Sequence, residues 1–372
     1  MSLNRLLPSS LVFTTINLLL VTSVFSSDLG TMPYPVDLQK DVCSTEEFTQ
    51  KLCFSKRVLK DGEMNDSSLI ASCRRTLEKD PNVYARNFEE EIKILTQAFE
   101  LAPRWFKMQL CALGGVVIHN LPKDEAQVNS WSANSPRHFV GLPLAHLKPG
   151  AYSLHNIGNL LTADKKVADR DLVAKGYGFE DIDKNFKDST QALAILSDMG
   201  HEMGHEIYDV DNRKVKSKFL GSASCKDDGT CTPFKDGQWG AISWHSVSPP
   251  IGVFGEFGLY FGVIRPENQK IWDMTNPNSE SYKNRTSSPT SKETDVFFKE
   301  LFGQGFVSSF AVASPVEDFC ETLSWKLMAE LIPSWKFKFS DGTKFDAMVE
   351  FRNPKNPILK KKMEFVDSIL GL

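Results

Sequence analysis

Residues 188–211 read DSTQALAILSDMGHEMGHEIYDVD, and the rest of the chain is interpreted outward from this stretch. Leu193, Leu196, Met199, Met203 and Ile207 recur at steps of three and four, which places them on one apolar face of a helix. Asp188 is the expected cap of that helix, with Gln191 three residues later in the capping-box position. Ala194, Ser197, His201, His205 and Tyr208 line a different face. That face carries His201-Glu202-Met203-Gly204-His205, an H-E-x-x-H sequence. Histidines four apart stand one turn above each other, so both imidazoles can reach one tetrahedral metal. Glu202 is rotated about 100° from His201. Its carboxylate can therefore face a metal-bound water and take its proton without occupying the metal itself.

With seven histidines in 372 residues, such a pattern arises by chance in only about one comparable sequence in a hundred. The competing interpretation is a pair of surface histidines on an amphipathic helix. A catalytic zinc also needs a third protein ligand, and two candidates compete for that role. Asp211 falls where a short H-E-x-x-H-x-x-G-x-x-H pattern has its last ligand, but Tyr208 stands where that pattern needs a turn-forming glycine. The other candidate is Ser314-Pro315-Val316-Glu317-Asp318-Phe319-Cys320-Glu321. A serine cap, a proline at the first helical position and Glu317 three residues after the cap predict a helix start. That helix should run to about Ile332, stop at Pro333, and bury Val316, Phe319, Cys320, Leu323, Leu327 and Leu331. Glu317 and Glu321 lie one turn apart on one face, so one can bind metal while the other fixes a histidine ligand. Alternatively, Glu317 is only a capping partner and Glu321 only a solvated charge.

Composition excludes several classes. At 41% hydrophobic, 24% charged and 11% aromatic residues, the chain is neither disordered, collagenous nor coiled-coil. A net charge of -4 gives no electrostatic reason to expect nucleic acid as partner. No P-loop, dinucleotide fingerprint or G-x-S-x-G occurs.

Residues 1–26 combine Arg5, a mostly apolar run from Leu11 to Phe25 and Val24-Phe25-Ser26. They are expected to be a signal peptide cut near Ser26, the alternative being an uncleaved anchor. No later segment has the apolar length of a membrane span. Secretion or export to a periplasm is therefore expected, and seven cysteines beyond the cleavage point suit an oxidising compartment. Cys225 and Cys231 bracket a turn-rich loop and are expected to form a local disulfide. Cys43, Cys53, Cys73 and Cys111 allow three connectivities, and Cys320 is expected to stay reduced and buried. Asn65 and Asn284 head sequons that matter only in a glycosylating host.

Residues 27–105 are expected to be a helical, cysteine-containing region. Leu69, Ile70, Leu77, Phe88, Ile92, Leu95 and Phe99 have helical spacing, with Pro81 dividing two helices. Leu113–Ile118 is a strand, Phe139–Leu144 a weaker one broken by Pro143, and 275–291 a long loop. Val116–His119 is either an edge strand open to an extended substrate or a plain core strand. Gly252–Gly262, with four glycines among aromatics and Glu256 as a minor alternative ligand, is either a lid or a glycine-packed core segment.

H-E-M-G-H followed by E-D-F-C-E resembles the gluzincin peptidases, and most closely the branch that includes the anthrax lethal factor protease domain. That branch pairs H-E-F-G-H with a later E-F-F-A-E. The resemblance covers about thirty residues in two blocks. It implies an α+β, zincin-like metallopeptidase domain over 106–372, with a small twisted sheet, an active-site helix and a second ligand-bearing helix. It also implies one zinc held by His201, His205 and Glu317, with Glu202 as base and Glu321 orienting a ligand histidine. The activity implied is a secreted zinc endopeptidase acting on protein or peptide substrates. The alternative is a weak or silent zinc- or partner-binding protein on the same scaffold. Two features depart from the pattern. The 112-residue step from His205 to Glu317 is longer than in the lethal factor pattern, and Phe310 stands where that pattern has a tyrosine that stabilises the oxyanion. Losing such a donor costs about 100- to 1000-fold in rate. Tyr260 and His245 are the candidates to replace it.

Overall fold

The computed structural model describes residues 41–58, 88–120, 139–154, 157, 178–180, 182–212, 233–246, 263–264, 291–308, 310–312 and 314–372. Mixed helix and strand, with a small parallel sheet, make this an α+β chain. The elements in order are α1 (Thr45–Thr49), β1 (Leu52–Val58), α2 (Glu89–Leu101), α3 (Arg104–Ala112), β2 (Gly115–Asn120), β3 (Phe139–Pro143) and α4 (Leu144–Leu147). Next come β4 (Gly178–Phe179), α5 (Asp183–Phe186), a 3₁₀ turn (Lys187–Ser189), α6 (Thr190–Asn212), α7 (Gly240–Ser243), β5 (Trp244–Ser246) and β6 (Val263–Ile264). The chain closes with α8 (Ser291–Gly303), a 3₁₀ turn (Phe310–Val312), α9 (Pro315–Leu331), β7 (Lys336–Lys338), β8 (Lys344–Asp346), α10 (Ala347–Arg352) and α11 (Pro357–Leu370).

Strands β1, β2 and β3 form a parallel sheet in that order, with Val116 paired to Leu52 on one side and Val140 on the other. The run around Val116 is thus a strand, as its β-branched residues predict. It is the central strand, however, and has no edge to offer an extended substrate. Strand β3 lies at the edge of this sheet, but all five of its residues are buried. A second sheet, β4-β7-β8, and the pair β5-β6 are antiparallel.

The helical reading of 88–106 needs one correction. The break falls at Ala102–Pro103, because Pro103 has no N–H to continue α2 and instead caps α3. Pro81 and residues 59–87 lie outside the described residues, as do the signal segment 1–26, the 252–262 stretch and the 275–290 loop. Among the described residues no helix is long and apolar enough to cross a membrane. Cys43 and Cys111 form a disulfide joining the start of α1 to the end of α3, and Cys53 is disulfide-bonded as well. These bonds fit an oxidising compartment. Cys73, Cys225 and Cys231 lie outside the described residues.

One apolar core runs from Phe48, Phe99 and Phe106 through Leu193, Met199 and Met203 of α6 to Phe319, Leu323 and Leu327 of α9. Helices α2 and α9 both pack on α6, so among the described residues the motif helix lies between them.

Candidate metal centre

Helix α6 starts at Thr190, one residue later than the Asp188 cap predicts, because residues 187–189 wind as 3₁₀. Gln191 is not a capping-box partner either. Its amide nitrogen donates to the carbonyls of His146 and Lys148, each at 2.7 Å, and its oxygen accepts from Gly150 N–H at 3.1 Å. Tertiary contact outcompetes the local cap and pins the loop after α4 beside the helix start. Helix α6 then continues unbroken to Asn212. With no turn after His205, position 211 is rotated about 240° from His205, which removes the geometry that the short pattern would need at Asp211.

The second helix begins as its sequence dictates. Ser314 Oγ accepts from Glu317 N–H at 3.1 Å, and Pro315 occupies the first turn. Glu317 therefore caps with its backbone, leaving its carboxylate for another task.

Small residues bring α6 and α9 together. Ser197 Oγ lies 2.9 Å from Ser324 Oγ, and Ser324 Oγ donates to the Ser197 carbonyl at 2.9 Å. A β-carbon on Gly204 would stand 2.6 Å from Cys320 Cα, nearer than real contacts allow, and one on Gly200 would meet Leu327 Cδ2 at 3.1 Å. This close crossing, which neither hydrophobic spacing nor the motif reveals, delivers Glu317 and Glu321 to the histidines.

At the crossing, His201 Nδ1 lies 2.7 Å from Glu321 Oε1, while Glu321 Oε2 accepts from Trp325 Nε1 at 3.2 Å. A proton on Nδ1 shared with Glu321 leaves Nε2 as the free lone pair. That Nε2 is 3.1 Å from Glu317 Oε2, and His205 Nε2 is 3.5 Å from the same oxygen. Despite the proximity, Glu317 Oε2 has no hydrogen bond and is buried. The imidazole rings stand 5.0 Å apart at 71°, turned toward a common point rather than stacked.

Donor atoms of His201, His205, Glu317 and Cys320 all lie within 4.8 Å of one another. Two imidazoles, a carboxylate and a thiol converging this closely form a cluster that could hold a metal ion. The donors fit zinc chemically, since imidazole nitrogen, carboxylate oxygen and thiolate sulfur are its ordinary ligands.

No family model, curated protein or solved structure matches the chain.

Glu202 is 5% exposed, with Oε1 3.8 Å from His201 Nε2 and Oε2 buried without a hydrogen-bond partner. Burial pushes its carboxyl up to about 7, against the pull of His205 and His201. Burial alone would also raise Glu317, but His205 and His201 outweigh it and hold that carboxyl well below the usual range. Conversely, burial would lower both imidazoles, yet Glu317 raises each, with help from Glu321 at His201 and from Glu202 at both. The metal-free cluster thus holds protons where a cation would sit.

Phe310 closes one side, its ring centroid 5.7 Å from that of His201, with no donor to offer. Of the suggested replacements, Tyr260 lies outside the described residues, as does the alternative ligand Glu256, and only the backbone of His245 is described, in β5. Three features went unread in the sequence. Asp198, one turn before Glu202, accepts from Tyr152 Oη at 2.9 Å and meets His146 Nδ1 at 3.0 Å. His146 and Tyr152 themselves stack at 3.9 Å. Asp318, next to Glu317, is paired at 2.8 Å with the fully buried Lys362 of α11 and accepts from Trp244 Nε1 at 3.1 Å. This pair fixes the first turn of α9 against the core. The third is Cys320, expected only as a buried core thiol, whose sulfur stands among the ligand atoms.

Proposed function

We propose that the protein is an exported zinc endopeptidase of zincin-like fold, hydrolysing peptide bonds of protein or peptide substrates. The observation that carries this reading is the convergence of His201, His205 and Glu317 beside a buried carboxyl, Glu202, one of whose oxygens has no partner. His201, His205 and Glu317 would hold one zinc per chain. Bound there, zinc would polarise a peptide carbonyl and lower the pKa of water. Glu202, with its buried Oε2 unpartnered, would accept and pass on a proton at that oxygen. Glu321 orients His201 through Nδ1 and is itself held by Trp325. The buried Asp318–Lys362 pair keeps the ligand-bearing turn of α9 in place.

The test is Glu202→Gln, which should retain zinc and lose hydrolysis of casein or a peptide library. Full hydrolysis by a zinc-loaded Glu202→Gln protein would refute the role. One observation favours a second reading, a silent zinc-binding scaffold: Phe310 lies against His201 where an oxyanion donor is needed. Hydrolysis abolished by chelator and restored by zinc decides for the enzyme.

A further inference from the structure

We infer that Cys320 is a fourth protein ligand, so that the metal centre is closed at rest by sulfur. This deepens the metal-centre reading above and rests on it. Cys320 lies three residues after Glu317 in α9, on the same side of the helix by helical geometry. It faces Gly204, which sits between the two histidines. A β-carbon on Gly204 would come within 3.0 Å of Cys320 Sγ. The glycine therefore leaves room for sulfur between His201 and His205.

All four donor atoms fall within one 4.8 Å group. In a tetrahedral site with bonds of about 2.0–2.3 Å, ligand atoms stand ~3.5 Å apart. Closing the widest of these separations to that spacing takes about 1 Å of movement. Cys320 is fully buried, with its sulfur among these donor atoms.

A thiolate in the fourth place occupies the position that a catalytic centre keeps for water. In that state Glu202 would have no metal-bound water to act on, and hydrolysis would require Cys320 to leave the metal. Phe310, with no hydrogen bond to offer a reacting carbonyl, suits a centre whose resting state is closed.

Cobalt(II) reports the ligand set directly. The mature protein, stripped by chelator, is titrated with cobalt(II) beside Cys320→Ser and Cys320→Ala variants, and zinc-edge X-ray absorption is recorded on the zinc-loaded wild type. The expected result is one cobalt per chain with visible ligand-field bands and a near-ultraviolet thiolate charge-transfer band. Both variants should lose the charge-transfer band while still binding cobalt. The zinc spectrum should contain one sulfur neighbour at about 2.3 Å. Ligand-field bands without a charge-transfer band in the wild type would overturn the sulfur ligand and leave the three-ligand centre intact. A charge-transfer band that survives in both variants would also overturn it. Failure of the wild type to bind cobalt or zinc would instead remove the metal centre itself. If neither variant folds, the sulfur neighbour in the wild-type zinc spectrum decides alone, and its absence overturns the inference.

Discussion

Gly204→Ala tests whether the close crossing of α6 and α9 builds the site. The added methyl would stand 2.6 Å from Cys320 Cα and 3.0 Å from its Cβ and Sγ. The nearest atom is backbone, so no rotamer change relieves the contact. An ordinary carbon–carbon contact is about 3.6 Å, and reaching it needs roughly 1 Å of separation between the helices. Two effects on stability oppose each other. Overpacking costs about 1–3 kcal/mol, while replacing glycine by alanine inside a helix returns about 1 kcal/mol. Net destabilisation is therefore only ~0–2 kcal/mol, which makes thermal unfolding a blunt readout. Metal affinity is sharper, because ligand distances tolerate only about ±0.2 Å. A shift of ~1 Å carries Glu317 well beyond that and should weaken binding by at least about 10- to 100-fold, the usual cost of disturbing a ligand's support. Competition against a chromophoric zinc chelator measures the change. Gly200→Ala is the control, since its methyl meets Leu327 Cδ2, a side-chain end, at 3.1 Å and Ser324 Cα at the wider 3.3 Å. It should bind zinc much as wild type does. A Gly204→Ala protein that binds zinc as tightly as wild type would refute the claim that this crossing sets the ligand geometry.

Further outcomes follow from the same contacts. Glu321→Ala releases His201 Nδ1 and should lower zinc affinity about 10- to 100-fold in the same competition assay; unchanged affinity would remove its orienting role. Lys362→Met strands a buried Asp318 charge and should cost about 3–5 kcal/mol in denaturant unfolding, with Asp318→Asn added to it recovering most of the loss. If the double variant is no more stable than the single, the buried pair is not what the lysine supplies. In metal-stripped protein, His201 and His205 titrate above their ordinary 6.5 and Glu202 near 7 instead of 4.5. Groups with raised pKa add stability below their unfolded values and lose it as pH climbs through the folded ones. Stripped protein should accordingly melt at a lower temperature at pH 8 than at pH 6. A melting temperature that holds steady or rises over that interval would contradict those shifts.

What the sequence made legible was local in origin. The H-E-x-x-H helix could be read because its ligands are four residues apart and its apolar face repeats within twenty residues. The start of α9 was equally plain, because Ser314, Pro315 and Glu317 act on the same turn. The central strand around Val116 announced itself by β-branching and its partner at Phe139–Pro143 did so more weakly, but β1 did not. Leu52 and Val140 belong to segments with weaker strand patterns, and parallel pairing leaves no hairpin signal between them. Cys43 and Cys111 pair across 68 residues, one of several connectivities that spacing could not separate. Gln191 shows the limit from the opposite side, since a correct local cap signal lost to three hydrogen bonds from a loop more than forty residues earlier.

The unread part of the site shares one cause. Gly200, Gly204, Ser197 and Ser324 carry no chemistry of their own, and their importance exists only once α6 and α9 cross. Crossing converts two separately ambiguous motifs into one constraint. Glu317, which could have been a cap alone, caps with its N–H while its carboxylate lies at the imidazoles. Cys320 gains a role by the same step. A cysteine three residues past a ligand is unremarked in a linear reading, yet opposite a glycine it stands close enough to count as a donor. Replacing Gly204 and replacing Cys320 therefore probe different things. The first moves the Glu317 helix and should weaken every ligand set, whereas the second removes sulfur and should spare the histidines and Glu317. A centre sensitive to Gly204→Ala but spectroscopically indifferent to Cys320→Ser would keep the crossing and lose the fourth ligand.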